Sequence, residues 1–390
     1  MLIHNLTIEL INKIQTIYYS MKLRPLLLFL IGLAFTGCQQ KGAQEQEKEP
    51  YQFWVGTYTD KESKGIYQYS MDTDGGMVSS KLMVTTQSPS FLALSKDKEF
   101  LLAVNEIDEK GTGTIESYAI LKDTLALVNR SKTGGAHPCY VSVDSVGGVF
   151  VANYSGGNIG YLQLEAGKLS ALIDTAQHTG KGTTDRQEGP HAHSVQFAAE
   201  WKSVVSADLG TNEVWFTEIE NGTFKDEGTF RLPMAEGAGP RHMAFHPNQK
   251  WLYVINELNS TITTVVKGGV KPYEVMASIS TLPMDFEGEN YCAHIRISDD
   301  GKYLYASNRG HNSIAVFQID QQTGVLSLVQ HTEVKGDWPR HFELSPDGKF
   351  LLVANQRSDN ITVFKREEKT GMLTYISEMY CSQPVCIVFQ

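Results

Sequence analysis

Arginine and histidine side chains follow prolines at widely spaced points in this chain of 390 residues. Arg241 and Arg340 each stand in a Pro-Arg-His tripeptide, and His191 follows Pro190 with His193 two residues further on. A guanidinium binds carboxylate, phosphate or a developing oxyanion through paired N–H donors, and an imidazole can move the proton of a water molecule. Together these residue types are suited to the hydrolysis of an anionic cyclic ester.

A second set of polar residues stands beside asparagines that end short apolar runs. Glu257 follows Asn256 directly, Arg309 follows Asn308 directly, and Arg296 lies in the alternating segment before Asn308. A carboxylate can act as a base or balance neighbouring guanidinium charges, so these residues extend the same candidate chemistry.

A repeat of about fifty residues accounts for these spacings. A proline, or a cysteine in its place, recurs along the chain as an anchor at Pro89, Pro138, Pro190, Pro240, Cys292, Pro339 and Pro384. An Asn or Asp follows each of the first six anchors after 15 to 18 residues, and β-type alternation with Asp-Gly turns fills each unit. This period and strand content predict an all-β, seven-bladed β-propeller; a two-sheet sandwich would not explain seven phased units.

Propeller geometry predicts that the two sets of residues meet. The first strand of each blade is innermost and the second runs antiparallel to it, so residues after the anchors and after the asparagines should converge on one mouth of the channel. The candidate catalytic residues are His193, Glu257, Arg241 and Arg296. The candidate substrate-binding residues are His191, Arg340, Asn256, Asn308 and Arg309.

Structural roles remain open for several of these residues. The asparagines could end strands and bond turn backbone. Arg241 and Arg340 could form ion pairs with Glu257 and Glu106 across neighbouring blades. His191 and His193 share one strand face, which would suit a metal, but no acidic pair accompanies them, so we expect a metal-free site without a cofactor.

The chain has no Gly-x-Ser-x-Gly elbow, Walker or dinucleotide glycine pattern, which argues against a serine acyl-enzyme and nucleotide-binding sites of those types.

The chain ends are predicted to close the ring and to direct export. Only one strand follows Pro384, and the first strands after residue 50 lack an inner partner, so the C-terminal strand should complete the N-terminal blade. The propeller is therefore assigned to residues 51–390.

Residues 1–37 are predicted to be a signal peptide with its true start at Met21, because basic residues precede an apolar run.

A lipid anchor is the expected fate of Cys38. The segment "FTGC" resembles a bacterial lipoprotein box, although a plain signal peptide or an anchor helix is the alternative. Residues 38–50 would then be the lipidated cysteine and a polar tether, and the protein would be a monomer at the cell envelope, on the membrane through Cys38.

Charge and cysteine content limit the other partners. The formal net charge is −10, which argues against nucleic acid as a partner. The four remaining cysteines show no paired metal-type spacing, and free thiols are favoured over a Cys381–Cys386 disulfide.

The segments around these residues resemble the seven-bladed propeller lactonases, typified by bacterial 6-phosphogluconolactonase and the fungal carboxy-muconate lactonizing enzymes. The resemblance covers essentially all of residues 51–390 and is most specific at "FWVGTYT", "GPHAHSV", "GPRHMAFHPNQKWLYVINELNSTI", "HIRISDDGKYLYASNRGHNSIAVF" and "PRHFELSPDGKFLLVANQ". It implies a metal-free site at the channel mouth, in which the family's catalytic His, Arg and Glu match His193, Arg241 and Glu257, and a further Arg matches Arg296.

The resemblance implies a small-molecule lactone as substrate, hydrolysed by a lactonase. The export signal makes a sugar lactone or a carboxylated lactone outside the membrane as plausible as 6-phosphogluconolactone. The alternative function is a non-catalytic propeller that binds a glycan or a protein at the cell envelope.

Overall fold

The computed structural model describes residues 49–268 and 271–390, and nearly all of its regular structure is β-strand. The predicted signal peptide, Cys38 and all but the end of the predicted 38–50 tether lie outside the described residues. The described part forms seven antiparallel sheets of four strands or, in one case, five. The prediction of an all-β, seven-bladed propeller is therefore confirmed.

The strands follow one another with short connections along the chain. The first twelve are β1 (Tyr51–Thr57), β2 (Gly65–Met71), β3 (Met77–Thr85), β4 (Pro89–Leu94), β5 (Phe100–Asn105), β6 (Thr114–Ile120), β7 (Leu125–Lys132), β8 (Pro138–Val143), β9 (Gly148–Asn153), β10 (Asn158–Glu165), β11 (Lys168–Leu169) and β12 (Asp174–Gln177). The next eight are β13 (Ala192–Ala198), β14 (Ser203–Asp208), β15 (Glu213–Glu220), β16 (Thr223–Pro233), β17 (Pro240–Phe245), β18 (Trp251–Asn256), β19 (Thr261–Lys267) and β20 (Tyr273–Ser280). The last nine are β21 (Tyr291–Ile297), β22 (Tyr303–Arg309), β23 (Ser313–Ile319), β24 (Leu326–Glu333), β25 (Pro339–Leu344), β26 (Phe350–Asn355), β27 (Asn360–Arg366), β28 (Leu373–Tyr380) and β29 (Pro384–Phe389). The helices of the described part are two 3₁₀ turns, Asp185–Gln187 and Ala199–Trp201.

The ring closes through the chain termini. Blade 1 has the strand order β29-β1-β2-β3, with Phe389 opposite Phe53 and Ile387 opposite Val55. Blades 2 to 7 then begin at β4, β8, β13, β17, β21 and β25, each on its innermost strand. The C-terminal strand thus completes the N-terminal blade as the sequence predicted.

The core consists of seven buried clusters, each formed between two neighbouring blades. Second strands such as β18 and β26 are buried along their whole length, because each is covered on both faces by adjacent sheets. This explains why "WLYVIN" and "FLLVAN" are nearly continuous apolar runs and not alternating ones. Each run ends in an asparagine that lies at the channel mouth.

A β-bulge stands near the start of the innermost strand in every blade. In blade 5, Pro240 lies opposite Asn256 and His242 opposite Ile255, so Arg241 is the extra residue. The equivalent residues in the other blades are Ser90, Cys139, His193, Arg340 and Val385, together with Ala293, which shares a two-residue bulge with His294 in blade 6. A bulge re-aims its side chain, and here it turns Cys139, His193 and Arg340 toward the mouth cavity.

The assignment of Pro190 as an anchor is wrong by two residues. In blade 4 the residue opposite Asp208 is Ala192, and the bulged residue is His193. Pro190 belongs to the preceding loop, whose end is tied to the blade because the His191 backbone N–H donates to Asp208 Oδ1 at 2.9 Å. His193 is therefore equivalent to Arg241 and lies at the same level of the channel.

The four cysteines of the described residues are free and buried: Cys139, Cys292, Cys381 and Cys386. Burial raises the pKa of each thiol, to about 11 for Cys292 and about 12 for Cys381.

Along residues 49–268 and 271–390, no helix has both the length and the apolar character needed to cross a membrane.

Candidate active site

A cavity of about 780 Å³ opens at the mouth of the channel where the bulges lie. The residues that follow the ends of the second strands contribute to its wall, and they are Tyr58, Glu106, Tyr154, Glu257, Arg309 and Gln356. The bulged residues that reach it are Cys139, His193 and Arg340. The first residue of β21, Tyr291, also lines it, and the connecting segments add Arg186, Glu289, Gly310, Trp338 and Arg357. The structure thus brings together the two sets of positions that the repeat predicted to converge.

The Glu257 carboxylate is surrounded by guanidinium groups. Oε2 lies 2.9 Å from Arg241 Nε and 2.9 Å from Arg309 Nη2, while Oε1 lies 3.2 Å from Arg186 Nη2. Burial by itself would raise the pKa of Glu257, but Arg309 and Arg241 hold that pKa well below its usual range, with help from His193 and Arg186. Glu257 is therefore a permanent anion that fixes two buried cations.

Arg241 forms part of the floor beneath the cavity and is only 1% exposed. Besides Glu257, it donates from Nη1 to the Ala293 carbonyl at 2.6 Å and to His242 Nε2 at 3.1 Å. Burial, followed by the charges of Arg309 and Arg340, lowers the pKa of Arg241 to about 9, while Glu257 opposes that shift. The guanidinium is held in one orientation by three acceptors.

His193 stands on the cavity wall as a neutral imidazole. Its Nδ1 lies 3.6 Å from Cys139 Sγ, and its Nε2 has no hydrogen-bond partner among the described residues. Burial first, and the Arg241 charge second, lower the pKa of His193 well below its ordinary value, against the opposing effect of Glu257. The unpartnered nitrogen is therefore available as an acceptor at neutral pH.

A tyrosine and a second carboxylate form another part of the wall. Tyr58 Oη donates to Glu106 Oε2 at 2.9 Å, and Arg340 Nη2 lies 3.9 Å from the same oxygen. Burial is the main cause of the raised pKa of Tyr58, so its phenol stays protonated. Arg340 is thus only loosely paired within the protein, whereas Arg241 pairs closely with Glu257 in its own blade.

Arg296 does not join this site, and its placement at the mouth is wrong. It lies four residues along β21 from Cys292, and its Nε donates to Glu343 Oε1 at 2.9 Å with the side chain 48% exposed. Successive residues of a strand advance by about 3.3 Å, so four residues carry Arg296 toward the other end of the channel. The second guanidinium on Glu257 is that of Arg309, which follows a second strand and not a first.

Asn256, Asn308 and His191 also lie outside the cavity wall. Asn256 donates to Thr261 Oγ1 and Thr263 Oγ1, both at 2.9 Å, and Asn308 is bonded to Thr281; both asparagines are fully buried. They therefore hold strand ends, and the expectation that they bind substrate is not supported by their position. His191 stacks on Tyr154 with ring centroids 4.5 Å apart, behind the wall.

Several cavity residues were missed by the sequence reasoning. Arg186 comes from the 3₁₀ turn of the long loop before β13, which has no counterpart in the repeat. Tyr58 follows Thr57, which lies opposite Pro384, so alignment of blade 1 on its C-terminal strand would have found it. Trp338 immediately precedes an anchor proline, and extension of the repeat by one residue would have drawn attention to it.

A serine–histidine–aspartate arrangement occurs elsewhere, in blade 4. His178 Nδ1 lies 2.7 Å from Asp208 Oδ2, and its Nε2 lies 3.2 Å from Ser206 Oγ. All three side chains are sealed in the interior, and the histidine stacks on Trp215 at 4.3 Å. A substrate cannot reach this serine, so the network ties the blade together.

No group of three or more potential metal ligands occurs among residues 49–268 and 271–390.

Comparison with known proteins places the whole propeller in one family. Residues 52–389 match the family described as "Lactonase, 7-bladed beta-propeller". The 6-phosphogluconolactonase of Bacillus subtilis is 36% identical over 293 residues, which cover 74% of this chain and 83% of that protein. A crystal structure of a protein from Lactobacillus plantarum has a TM-score of 0.82 at 33% identity and covers 88% of this chain and 100% of the other. The periplasmic gluconolactonase of Pseudomonas aeruginosa has a TM-score of 0.82 at 29% identity and covers 87% of this chain and 99% of the other.

Proposed function

The chain belongs to the seven-bladed β-propeller lactonase family, and on that premise we propose that it hydrolyses an anionic lactone in the mouth cavity without a metal. The observation that carries this proposal is the arrangement of Glu257, Arg309 and the neutral His193 on the cavity wall, with the buried Arg241 paired to Glu257 beneath them. Hydrolysis of a lactone needs an acceptor for a proton of water and positive charge at the carbonyl oxygen, and these groups supply both.

The cavity charge favours an anionic substrate. Four arginines and three glutamates line it, with Arg241 directly beneath. The local charge is therefore positive in a chain whose formal net charge is −10. Guanidiniums bind carboxylate and phosphate groups in a bidentate manner, so an acidic sugar lactone fits better than a neutral one.

We assign the first proton transfer to His193. A water molecule adds to the lactone carbonyl carbon and gives a proton to His193 Nε2, and the negative charge then forms on the carbonyl oxygen. That charge attracts an imidazolium, so the pKa of His193 rises as the oxyanion develops, although it is depressed in the free protein. Collapse of the intermediate breaks the ring C–O bond, and the imidazolium proton goes to the leaving alkoxide, giving a hydroxy acid.

Arg309 and Arg241 are assigned to the developing oxyanion. Arg309 lines the cavity and is fixed by the Tyr291 carbonyl at 3.1 Å and the Cys292 carbonyl at 3.0 Å. Arg241 adds positive charge from the floor. Glu257 is a poor base because its pKa is so low, so we assign it mainly to the orientation of the two guanidiniums.

We also propose that the reaction takes place outside the cytoplasm. The basic and apolar segment from Met21 and the "FTGC" sequence ending at Cys38 support export and lipidation. Lactones that reach the cell envelope would then be the relevant substrates.

Acid release from a panel of lactones tests the proposed function. Purified residues 51–390 would be mixed in a weakly buffered pH indicator with 6-phosphogluconolactone, glucono-δ-lactone and a carboxylated γ-lactone. We expect protein-dependent acid release that is fastest with an anionic lactone. Acid release at the uncatalysed rate with every lactone, while a ligand still binds in the cavity, would favour the non-catalytic alternative.

A further inference from the structure

We propose that blade 7 carries a separate anion subsite, in which Arg357, held on the indole ring of Trp338, binds the phosphate or carboxylate substituent of the ligand. This inference deepens the proposed function and rests on it for the identity of the ligand. The subsite lies on the cavity wall beside the Glu257 group and uses residues that take no part in the proton transfers.

Trp338 has a backbone conformation that its side chain disfavours. Its φ is +67°, in the left-handed region. The equivalent residues before the other anchor prolines share this conformation, with φ values of +42°, +51°, +65° and +47°, and they are Ser88, His137, Gly239 and Gln383. The fold therefore requires the conformation but not a large aromatic residue, which is costly there. A bulky ring at a position with this backbone conformation points to a function for the ring.

The ring of Trp338 is a platform for guanidinium groups. Arg357 Cζ lies 3.3 Å from the ring centroid and Arg309 Cζ lies 5.2 Å from it. The backbone of the platform is fixed as well, since Trp338 N–H donates to Asn312 Oδ1 at 3.0 Å and Gln356 N–H donates to the Trp338 carbonyl at 3.1 Å. A guanidinium stacked in this way keeps its N–H edge free for an anion.

Arg357 differs from the other cavity arginines in its lack of an acceptor. Arg186 and Arg309 bond to Glu257, and Arg340 lies near Glu106. The Arg357 side chain makes no hydrogen bond or ion pair with any residue in the described part of the chain. Because Arg357 is exposed, its donors face water in the free protein, and the indole holds them in place for an anion that enters the cavity.

A neighbouring amide oxygen indicates what else the ligand carries. Gln356 Oε1 is buried and has no hydrogen-bond partner among the described residues, although Gln356 lines the cavity. The Gln356 side chain makes no hydrogen bond with any described residue, and a small rotation of its amide would expose Oε1 to a ligand hydroxyl that donates to it. The expected ligand class is thus a hydroxylated acid whose anionic group meets Arg357.

Calorimetric titration tests the subsite without any need for turnover. Residues 51–390 would be titrated with 6-phosphogluconate and with gluconate, in the original form and as Arg357→Gln and Trp338→Gly. Glycine is chosen because Gly239 holds the same backbone conformation in blade 5, so Trp338→Gly removes the ring and leaves the fold intact. We expect the affinity for 6-phosphogluconate to fall about tenfold or more in both variants.

The control is Lys365→Gln, which removes one positive charge from an exposed position on the same blade. It should leave both affinities unchanged. A loss confined to 6-phosphogluconate assigns the subsite to the phosphate substituent. An equal loss for gluconate, whose only anionic group is the carboxylate formed at the reacting carbon, would place Arg357 at the reaction centre and overturn a separate subsite. Unchanged affinities in both variants, or no binding by the original form, overturn the subsite. If no lactone is hydrolysed but both variants lose affinity, the proposed hydrolysis fails and the subsite stands.

Discussion

His242 and His294 face each other through their Nδ1 atoms, which lie 2.8 Å apart, within hydrogen-bond distance. The other nitrogen of His242 accepts from Arg241 Nη1 at 3.1 Å. A guanidinium only donates, so His242 must carry its proton on Nδ1 and donate it to His294. Protonation of His242 on Nε2 would break the bond to Arg241 and place a second cation beside it. The orientation of a floor residue of the cavity therefore depends on neutral histidines below it.

We expect the free energy of unfolding to fall as the pH drops from 7 to 5. Burial, reinforced by neighbouring charges, lowers the pKa of four channel histidines, which are His193, His242, His294 and His341. The unfolded chain takes up these protons below about pH 6.5 while the folded protein does not, so stability is present at neutral pH and is lost as the pH falls. The loss approaches about 1.4 kcal/mol per pH unit for each histidine, measured by urea unfolding at several pH values.

The matched variant for this measurement is His341→Phe. The pKa of His341 is lowered to about 3, mainly by burial, so its contribution to the loss continues down to that pH. Phe91 occupies the equivalent position in blade 2 and already packs edge-on against His341 at 5.5 Å. The free energy of unfolding of the variant should depend less steeply on pH; an identical slope would show that His341 does not remain neutral in the folded protein.

The fold could be predicted from the sequence because each blade repeats the same physical requirements. Anchors, apolar second strands and terminal asparagines recur in phase, and the unpaired strand after Pro384 shows how the ring closes. The mouth could also be predicted, since antiparallel pairing places the start of one strand beside the end of the next. Arg241 and Glu257 are therefore found together although 16 positions separate them in the sequence.

The level of each residue along the channel could not be read from spacing alone. The long loop before β13 ends in Pro190, which stood in for the true anchor position at Ala192 and hid the equivalence of His193 with Arg241. Arg296 was selected by its residue type, but strand rise carries it away from the mouth. Arg186 and Arg357 belong to connections whose paths depend on tertiary contacts, so the repeat gives no information on them.

Removal of the C-terminal strand should open the ring. A chain that ends at Gln383 loses β29, the innermost strand of blade 1, and exposes the edge of β1 together with the apolar clusters on both sides. We expect a large fall in the thermal midpoint and aggregation, measured by circular dichroism and light scattering. Deletion of Gln390 alone should have little effect, because it lies outside the strand. An unchanged midpoint after removal of all seven residues would contradict the role of β29 as the closing strand.

Chelation should leave lactone hydrolysis unchanged. The cavity is lined by four arginines, and a divalent cation would be repelled by charges that Glu257 and Glu106 only partly balance. The assay is the rate of acid release before and after dialysis against EDTA. Loss of activity that returns with one divalent ion, and not with NaCl at the same ionic strength, would show that a metal is needed.

Cys38→Ser should release the protein from the membrane fraction. If Cys38 carries the lipid, the change removes the only attachment that the sequence predicts. The measurement is incorporation of labelled palmitate, followed by fractionation of cells that express the full chain. Cys386→Ser serves as the control for loss of a cysteine, as Cys386 is buried in the propeller. Label retained by the Cys38→Ser protein would contradict lipidation at this residue.

Arg241→Lys should weaken both binding and turnover. Lysine keeps the charge but lacks the planar fork that reaches Glu257, the Ala293 carbonyl and His242 together. The comparison is KM and kcat on a lactone that the original protein hydrolyses, with Lys365→Gln as the surface control. A variant with normal values for both constants would show that the fork is not required.

Glu257→Gln and His193→Asn separate charge balance from proton transfer. The amide introduced by Glu257→Gln has the shape of the carboxylate but cannot neutralise Arg241 and Arg309, so both guanidiniums lose the anion that orients them. We expect turnover to fall by about 10²-fold or more while an anionic product still binds, because the cavity becomes more positive. His193→Asn removes the proton acceptor, so it should reduce kcat to a similar extent with little change in product affinity. If both variants retain near-normal turnover on a confirmed substrate, the proposed mechanism is wrong, and a binding role for this mouth becomes the better account.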